Sequence, residues 1–302
     1  MKRSLSWRIG AVVLCVVGLV LLAGCDDGDF IQPNVESSRM DVMTFAVAGR
    51  PHVTIETTNG TVTVQGVQGQ IDVRVTATLR SHGTTLGEAN RRLEQLTIAQ
   101  SQDADRIVVR YRAESQPEDA RQHSGVDFAV AVPVDADVSA TGTNGKQSAE
   151  NIHGSLTLDT TNGAISVSGA VGSVTLHTTN GAVDLSSSQG TFRLATTNGA
   201  VRLANVEGGV DAETSNGTLS FSGRLVGQNH SLRTTNGGIV VAIPRTSSLQ
   251  IDARTSVGSI STGLAFAGDM EGKSWSAALN PPATSTLTVR TTNGSIRIEE
   301  LR

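Results

Sequence analysis

The sequence predicts an all-β protein, a parallel β-solenoid of about 18-residue, two-strand coils carrying one short inserted α-helix. Three observations lead there. Asn144, Asn162, Asn180, Asn198 and Asn216 fall 18 residues apart, each followed by glycine and most preceded by Thr-Thr. Asn236 follows at 20, and Asn59 and Asn293 repeat the motif far upstream and near the C-terminus. Fixed self-similarity of this kind marks a stacked repeat architecture. Second, apolar residues alternate around each asparagine. Leu156, Leu158, Ile165 and Val167 flank Asn162, and Val174, Leu176, Val183 and Leu185 take the same places around Asn180. Phe192, Leu194, Val201 and Leu203 do so around Asn198. That alternation is the period of a strand with one buried face. Third, aromatics are only 3% of the chain. The core is therefore thin, and stability is a sum over neighbouring coils.

Each coil reads as two short strands, a corner at Asn-Gly and a looser corner such as Ser188-Gln189-Gly190. Asn-Gly between alternating strands is also a strong hairpin signal, so a run of antiparallel hairpins is the competing reading. A constant period favours stacking in register. Stacking places Thr160, Thr178, Thr196 and Thr214 in one inward file. It makes Asn144, Asn162, Asn180, Asn198, Asn216 and Asn236 a structural corner ladder whose amides hydrogen-bond along the file. Asn and Gly both tolerate the left-handed conformation a corner can require. A left-handed hexapeptide helix also turns in 18 residues, but steps of six from Leu156 land on Asn162 and Ser168. It fails on pattern.

Residues 1–24 read as a leader. Lys2, Arg3 and Arg8 precede an apolar run from Ile9 to Leu22 that is short for a spanning helix. Leu22-Ala23-Gly24-Cys25 resembles the lipobox of bacterial lipoproteins. The resemblance implies lipidation of Cys25, cleavage before it and acylation of the new N-terminus. Cys15 would leave with the leader, so the mature chain would hold no free thiol and no disulfide. Two or more acyl chains anchor stably where one does not. Asp26 and Asp27 follow the anchor; this resembles an inner-membrane retention signal of enteric bacteria, and which membrane is used stays open. Loss of the leader lowers Lys+Arg from 24 to 21 against 28 Asp+Glu, a formal charge of about −7. With no basic cluster, nucleic acid is not an expected partner.

The domain plan is a leader (1–24), a polar tether (25–43) and a solenoid domain (44–302) with a helix-containing insertion at about 81–125. Val53 to Val64 makes an opening coil, and Ile71 to Leu79 a further strand. Leu86, Ala89, Leu93 and Leu96 recur at helical spacing, with Glu88, Arg91, Arg92 and Glu94 outward. This helix is expected to cap or flank the N-terminal end of the stack. Ile107 to Tyr111 returns to strand, Ser115 to Ser124 reads as a loop, and Val126 to Pro133 re-enters the sheet. Ser256-Val257-Gly258 is a degenerate corner, and 268–284 a loop insertion holding Trp275. The last coil runs from Leu287 through Asn293-Gly294 to Ile298.

The opening Val53-Thr54-Ile55-Glu56-Thr57-Thr58-Asn59-Gly60, the Val126-to-Pro133 strand, the Asn-Gly coils and the closing Leu287-to-Gly294 segment together resemble the bacterial putative-adhesin family of β-strand repeats. The resemblance spans roughly Phe45 to Leu301. It implies the fold and an envelope location, and it supplies no catalytic motif.

The residues themselves offer little chemistry. Outward at three places before each asparagine the file runs Asp159, His177, Ala195, Glu213, Arg233, Arg254, an ordinary solvated face. Asp159, His177 and Asp184 form the sharpest constellation, with Asp184 expected to face away. The six histidines are dispersed, without metal-ligand spacing. No catalytic residue, cofactor or metal is predicted. The outward row Thr143, Thr161, Thr179, Thr197, Ser215 and Thr235, beside the Asn corner, is the candidate binding face, with Trp275 the one aromatic expected to touch a partner. A row of this kind suits a repeating polar ligand such as a glycan. Strand and corner preferences for Thr and Asn-Gly also explain it with no ligand.

The function predicted is that of a lipid-anchored cell-envelope protein, non-catalytic, structural or adhesive. Its partners are the membrane, through its N-terminal lipid, and an envelope glycan or envelope protein. Two rivals make different demands. A polysaccharide-active enzyme needs an acidic cleft built by the 81–125 and 266–284 insertions. An envelope-stress component needs a bare apolar patch on the helix.

Overall fold

The computed structural model describes residues 34–264 and 269–301, the side chains of 269 and 270 excepted. The leader, Cys25 and the first part of the expected tether lie outside them. The chain opens with β1 (Val35–Ala46), β2 (His52–Asn59), β3 (Val62–Val67), β4 (Asp72–Gly83), α1 (Leu86–Gln95), β5 (Ala99–Asp103) and β6 (Arg106–Tyr111). A short helix, α2 (Glu118–Gln122), leads into β7 (Ser124–Pro133). The regular array is β8 (Asp137–Asn144), β9 (Gln147–Glu150), β10 (Leu156–Asn162), β11 (Ile165–Ser168), β12 (Val171–Asn180), β13 (Val183–Ser186) and β14 (Gln189–Asn198). It continues through β15 (Val201–Asn216), which spans a corner, to β16 (Leu219–Leu225), β17 (Asn229–Asn236) and β18 (Ile239–Ile243). The far end holds β19 (Leu249–Val257), β20 (Ile260–Thr262), β21 (Asp269–Glu271), β22 (Ser274–Leu279), β23 (Ser285–Asn293) and β24 (Ile296–Glu300).

Pairing through the array is parallel, which excludes the run of hairpins. Leu156 lies opposite Val138 on one side and Val174 on the other, and Asn162 lies between Asn144 and Asn180. On the second sheet β11 lies between β9 and β13. Strands before each Asn-Gly thus form one sheet and strands after it the other, and the alternating side chains meet between them. Leu156, Leu158, Ile165 and Val167 are all buried, and the core is continuous from Met43 to Ile298.

Both ends depart from sequence order. β2 and β3 pair directly with β8 and β9, so the opening coil stacks on the array and the insertion turns outward. β6 and β7 add a level outside them. β4 then joins β7, β1 joins β4, and β5 joins β6, all antiparallel. At the other end β23 and β24 sit on β17 and β18, while β19 and β20 lie beyond. The last coil in sequence is the penultimate one in space.

Three readings are corrected. The tether does not extend to 43, because Val35–Ala46 is a strand paired with β4 along its whole length. Its inward residues are few (Ser37, Met43 and Phe45 among them), and a largely solvated edge strand is polar enough to read as linker. The loop at 115–124 contains α2, begun at Pro117, whose fixed φ suits a helix start. The insertion at 268–284 contains β21 and β22, the latter paired antiparallel with β19.

Helix α1 starts in a capping arrangement. Glu88 N–H donates to Thr85 Oγ1 at 3.2 Å, while the Glu88 carboxylate accepts from Thr84 N and Oγ1 at 2.8 and 2.7 Å. Ala89, Leu93 and Leu96 are buried, and the helix packs on β4 and β1. Arg92, read as outward, is buried instead. Its guanidinium donates to His82 O and Asp119 Oδ1, both at 2.7 Å, and pairs with Glu88 Oε1 at 2.7 Å. It joins α1 to α2 and β4.

The corner glycines are set by sterics. A Cβ on Gly163 would stand 2.0 Å from Gly145 O, and one on Gly181 2.1 Å from Gly163 O. Neither glycine, nor the asparagine before it, has positive φ. The left-handed residues recur at the other corner: Asn151 (φ 55), Gly169 (66), Ser187 (49) and Asn205 (54).

Gly181→Ala should therefore destabilise the fold by about 3 kcal/mol, the upper range for overpacking. Gly87→Ala, in α1 with nothing within 4 Å of the new methyl, should stabilise by about 0.5–1 kcal/mol. Urea unfolding followed by circular dichroism measures both. A second expectation concerns pH. The Arg92 hydrogen bond holds the Asp119 carboxyl below its ordinary pKa, and hydrogen bonds from Thr84 do the same for Glu88. Folded values below unfolded ones mean stabilisation present above the ordinary carboxylate range and lost as pH falls through the folded values. Between pH 6 and 3, protection of the Ala89 and Leu93 amides, corrected for intrinsic exchange, should fall before that of Leu176. Asp119→Asn should remove much of that dependence.

Candidate functional site

Each letter of Thr-Thr-Asn-Gly has a separate task. The first threonine points inward and its hydroxyl donates to the corner glycine carbonyl of the neighbouring level. Thr178 reaches Gly163 O, Thr196 reaches Gly181 O and Thr214 reaches Gly199 O, each at 2.9 Å. Thr234, Thr291 and Thr255 repeat the bond at 3.0, 2.9 and 2.8 Å. The glycine leaves room for that approach.

The asparagines form one unbroken file. Asn162 donates to Asn144 at 3.0 Å, Asn180 to Asn162 and Asn198 to Asn180 at 2.8 Å, Asn216 to Asn198 at 2.9 Å and Asn236 to Asn216 at 2.8 Å. Two further members join it: Asn144 donates to Asn59 at 2.7 Å, and Asn293 to Asn236 at 2.8 Å. The same tetrapeptide marked both in the sequence, but their neighbours in space are distant in the chain. Seven steps at the ~4.8 Å strand spacing give an amide row about 34 Å long. Each interior amide uses its carbonyl and one N–H along the file, leaving the second N–H outward.

The second threonine points to solvent. Thr143, Thr161, Thr197 and Thr235 are exposed, and Thr179 and Ser215 are half-buried. None of these six hydroxyls has a hydrogen-bond partner among the described residues. The hydroxyl row therefore runs parallel to the amide row, giving an edge of donors and acceptors at strand spacing.

Trp275 does not belong to this surface. Alternation along β22 turns Trp275, Ala277 and Leu279 inward, and Trp275 is 2% exposed, packed in the core opposite Ala253. The expectation of a partner-facing aromatic is corrected by that burial. Asp159 and His177 do meet, Oδ1 to Nδ1 at 3.2 Å and half in solvent, whereas Asp184 lies on the other sheet and pairs with Arg202 at 3.3 Å. The constellation is not assembled. Among the described residues no three His, Cys, Asp or Glu side chains gather as a metal site. The two insertions that would build an acidic cleft stand at opposite ends of the stack. The apolar face of α1 is covered by β4 and β1, leaving only Leu86 substantially exposed. A cleft of about 480 Å³ lies where the ladder ends at Asn59, lined by Glu36, Arg80, His82 and His123 among others.

An interior ladder position holds two side-chain bonds and a terminal one holds one. Asn180→Ala should cost about 1–2 kcal/mol and Asn293→Ala about half that, at the usual net worth of a hydrogen bond. Equal losses in urea unfolding would contradict the ladder as an additive file.

No curated protein matches the chain. Among solved structures, it is similar to a putative cell adhesion protein from Clostridium sporogenes at 11% identity and TM-score 0.31, covering 87% of this chain and 99% of that one. It is similar also to a putative adhesin from Bacteroides fragilis at 12% identity and TM-score 0.41, covering 87% and 97%. The Toastrack DUF4097 family model matches residues 52–299, from the opening coil through the last. The chain belongs to that family.

Proposed function

We propose that this is a lipid-anchored, non-catalytic protein of the cell envelope. Its body is a β-solenoid of about 18-residue coils, and it binds or braces a repeating polar partner through its hydroxyl–amide edge. One observation supports this above others: eight asparagines in an unbroken hydrogen-bonded file, bordered by hydroxyls with no partner of their own. A stiff row of polar groups at constant spacing suits an extended ligand with its own repeat, such as an envelope glycan. A rigid row also loses little conformational entropy when it binds.

The anchor rests on the lipobox resemblance at Leu22-Ala23-Gly24-Cys25. Asn34, the first described residue, lies nine positions beyond that cysteine, and the chain enters the fold at the edge strand β1. The anchor would therefore hold the N-terminal end of the stack near the bilayer.

Two measurements test the reading. Labelled palmitate should enter the wild-type chain and not Cys25→Ser, which should appear in the soluble fraction; equal labelling would remove the anchor. Peptidoglycan and neutral-glycan pulldown should retain the wild type and lose the variant carrying Thr161→Lys, Thr179→Lys and Thr197→Lys by tenfold or more. Retention of that variant would move the site off the edge, and no retention of either protein would leave the repeats as scaffold.

A further inference from the structure

The sheet that precedes each Asn-Gly carries one feature unlike the rest of its surface. Arg233 on β17, Arg290 on β23 and Arg254 on β19 are register partners on three successive strands. Sequence order conceals the row, because Arg290 follows Arg254 by 36 positions and yet stands between it and Arg233. At ~4.8 Å per strand the three stems leave one face within about 10 Å.

Elsewhere this fold places opposite charges across its strands. Glu56 meets Arg110 at 3.0 Å, Asp159 meets His177 at 3.2 Å, and Arg193 meets Asp211 at 3.7 Å. Like charges directly opposite are destabilising, and here three cations stand in a line with no ion pair among the described residues. Arg290, half-buried in the middle, has its pKa lowered by burial first and then by Arg254. The neighbouring acid, Asp252, opposes that lowering in part without forming an ion pair and accepts from Ser276 Oγ at 2.8 Å, and Glu213 lies opposite Arg233 on the next strand. Arg254 Nε donates to Ser274 Oγ at 3.0 Å, which orients its fork. Lys273 adds a fourth positive charge at the same end, its ammonium on Gly258 O. Beside the row, the buried Ser231 hydroxyl has no partner. Like charges so placed repel one another, and an anion between them would relieve the repulsion.

We propose that the Arg233–Arg290–Arg254 row binds the phosphate groups of an extended envelope polymer. Guanidinium forks bind oxyanions with two oxygens. The free oxygens of a phosphodiester diverge about a tetrahedral phosphorus, so one phosphate reaches two stacked guanidiniums. The coplanar oxygens of a carboxylate match a single fork. The row also stands about 34 Å from β2, counted in strand spacings, at the end opposite the entry of the chain. That distance favours a polymer over the headgroups of the anchoring bilayer, an argument that rests on the anchored reading above.

The test uses the full chain in neutral detergent at low salt, titrated with poly(glycerol phosphate), with polyglutamate, and with vesicles containing anionic phospholipid. Poly(glycerol phosphate) should bind at least tenfold more tightly than polyglutamate or the vesicles, and salt should weaken it steeply. Arg233→Gln with Arg254→Gln and Arg290→Gln should lower that affinity at least tenfold, while Arg202→Gln with Arg297→Gln, on the other sheet, should leave it unchanged. Arg290→Gln alone should weaken binding and raise the melting temperature, so the loss is not unfolding. Unchanged affinity in the triple variant, absence of polymer binding by the wild type, or preference for the vesicles would each overturn the assignment. Cys25→Ser and the Thr→Lys variants leave the row intact, so phosphate binding that survives in them separates this site from the anchor and from the hydroxyl edge.

Discussion

Each corner glycine lies against the carbonyl of the corner before it, closer than any side chain permits, and the rest of the stack is organised by that approach. At Gly199 the missing Cβ would fall 2.0 Å from Gly181 O. With the side chain absent, the bend itself enters the hydrogen-bond ladder: Gly163 N donates to Asn180 O at 3.1 Å and Ile165 N to Ala182 O at 2.9 Å. Two of the backbone donors at each such turn are thus bonded to the next level, where a corner usually leaves them to solvent. The same closeness brings consecutive Asn amides within hydrogen-bond range and lets the inward threonine reach the next carbonyl. Length variation is confined to the second corner. The step from Asn216 to Asn236 is 20 residues, yet the two remain register partners, the extra residues being taken up around 226–228.

What was legible in the sequence follows from this. The inward faces, the two strands per coil and the ladder of Asn144 through Asn236 are local consequences of alternation and motif, and both recur at every level. The order of stacking was not legible. One Thr-Thr-Asn-Gly corner fits on another equally well, so the motif says what stacks but not on what. Asn59 meets Asn144 and Asn293 meets Asn236 only because the chain lays down its outermost levels from segments that double back. Arg290 joined the arginine row for the same reason. β1 and Trp275 were missed differently. Each belongs to an antiparallel extension outside the repeat, where the 18-residue register carries no information and only strand alternation remains. Arg92 was misplaced because helical spacing marks the faces of α1 but not what covers them; α2 covers the side taken as solvent.

The ends also determine why the stack stops. A parallel array with in-register corners has no intrinsic limit, and an open level would template another chain. Here β20 and β21 are three residues each, and β5 is polar and exposed along its length. β1 is longer but supports α1 across part of its surface. At the N-terminal end the segment holding α2 replaces the Asn-Gly corner, with Ala113 N–H donating to Thr58 Oγ1 at 3.0 Å. At the C-terminal end Val257 stands where the next asparagine would be.

A bounded stack of this kind has two distinct surfaces, and physics separates them. The long edge of amides and hydroxyls is neutral, and its amides are shared with the bonds that hold the fold. The affinity of such an edge for a ligand would grow with the number of levels engaged, and salt would affect it little. The arginine row is short and charged, with no ion pair of its own among the described residues; its field reaches over a Debye length and weakens as salt rises. It arises where the corner ladder ends and the closing coil slips in beneath its predecessor, so that cation follows cation across three strands. The repeat supplies the even surface, and the doubling back of the chain at its end creates a place where that evenness breaks.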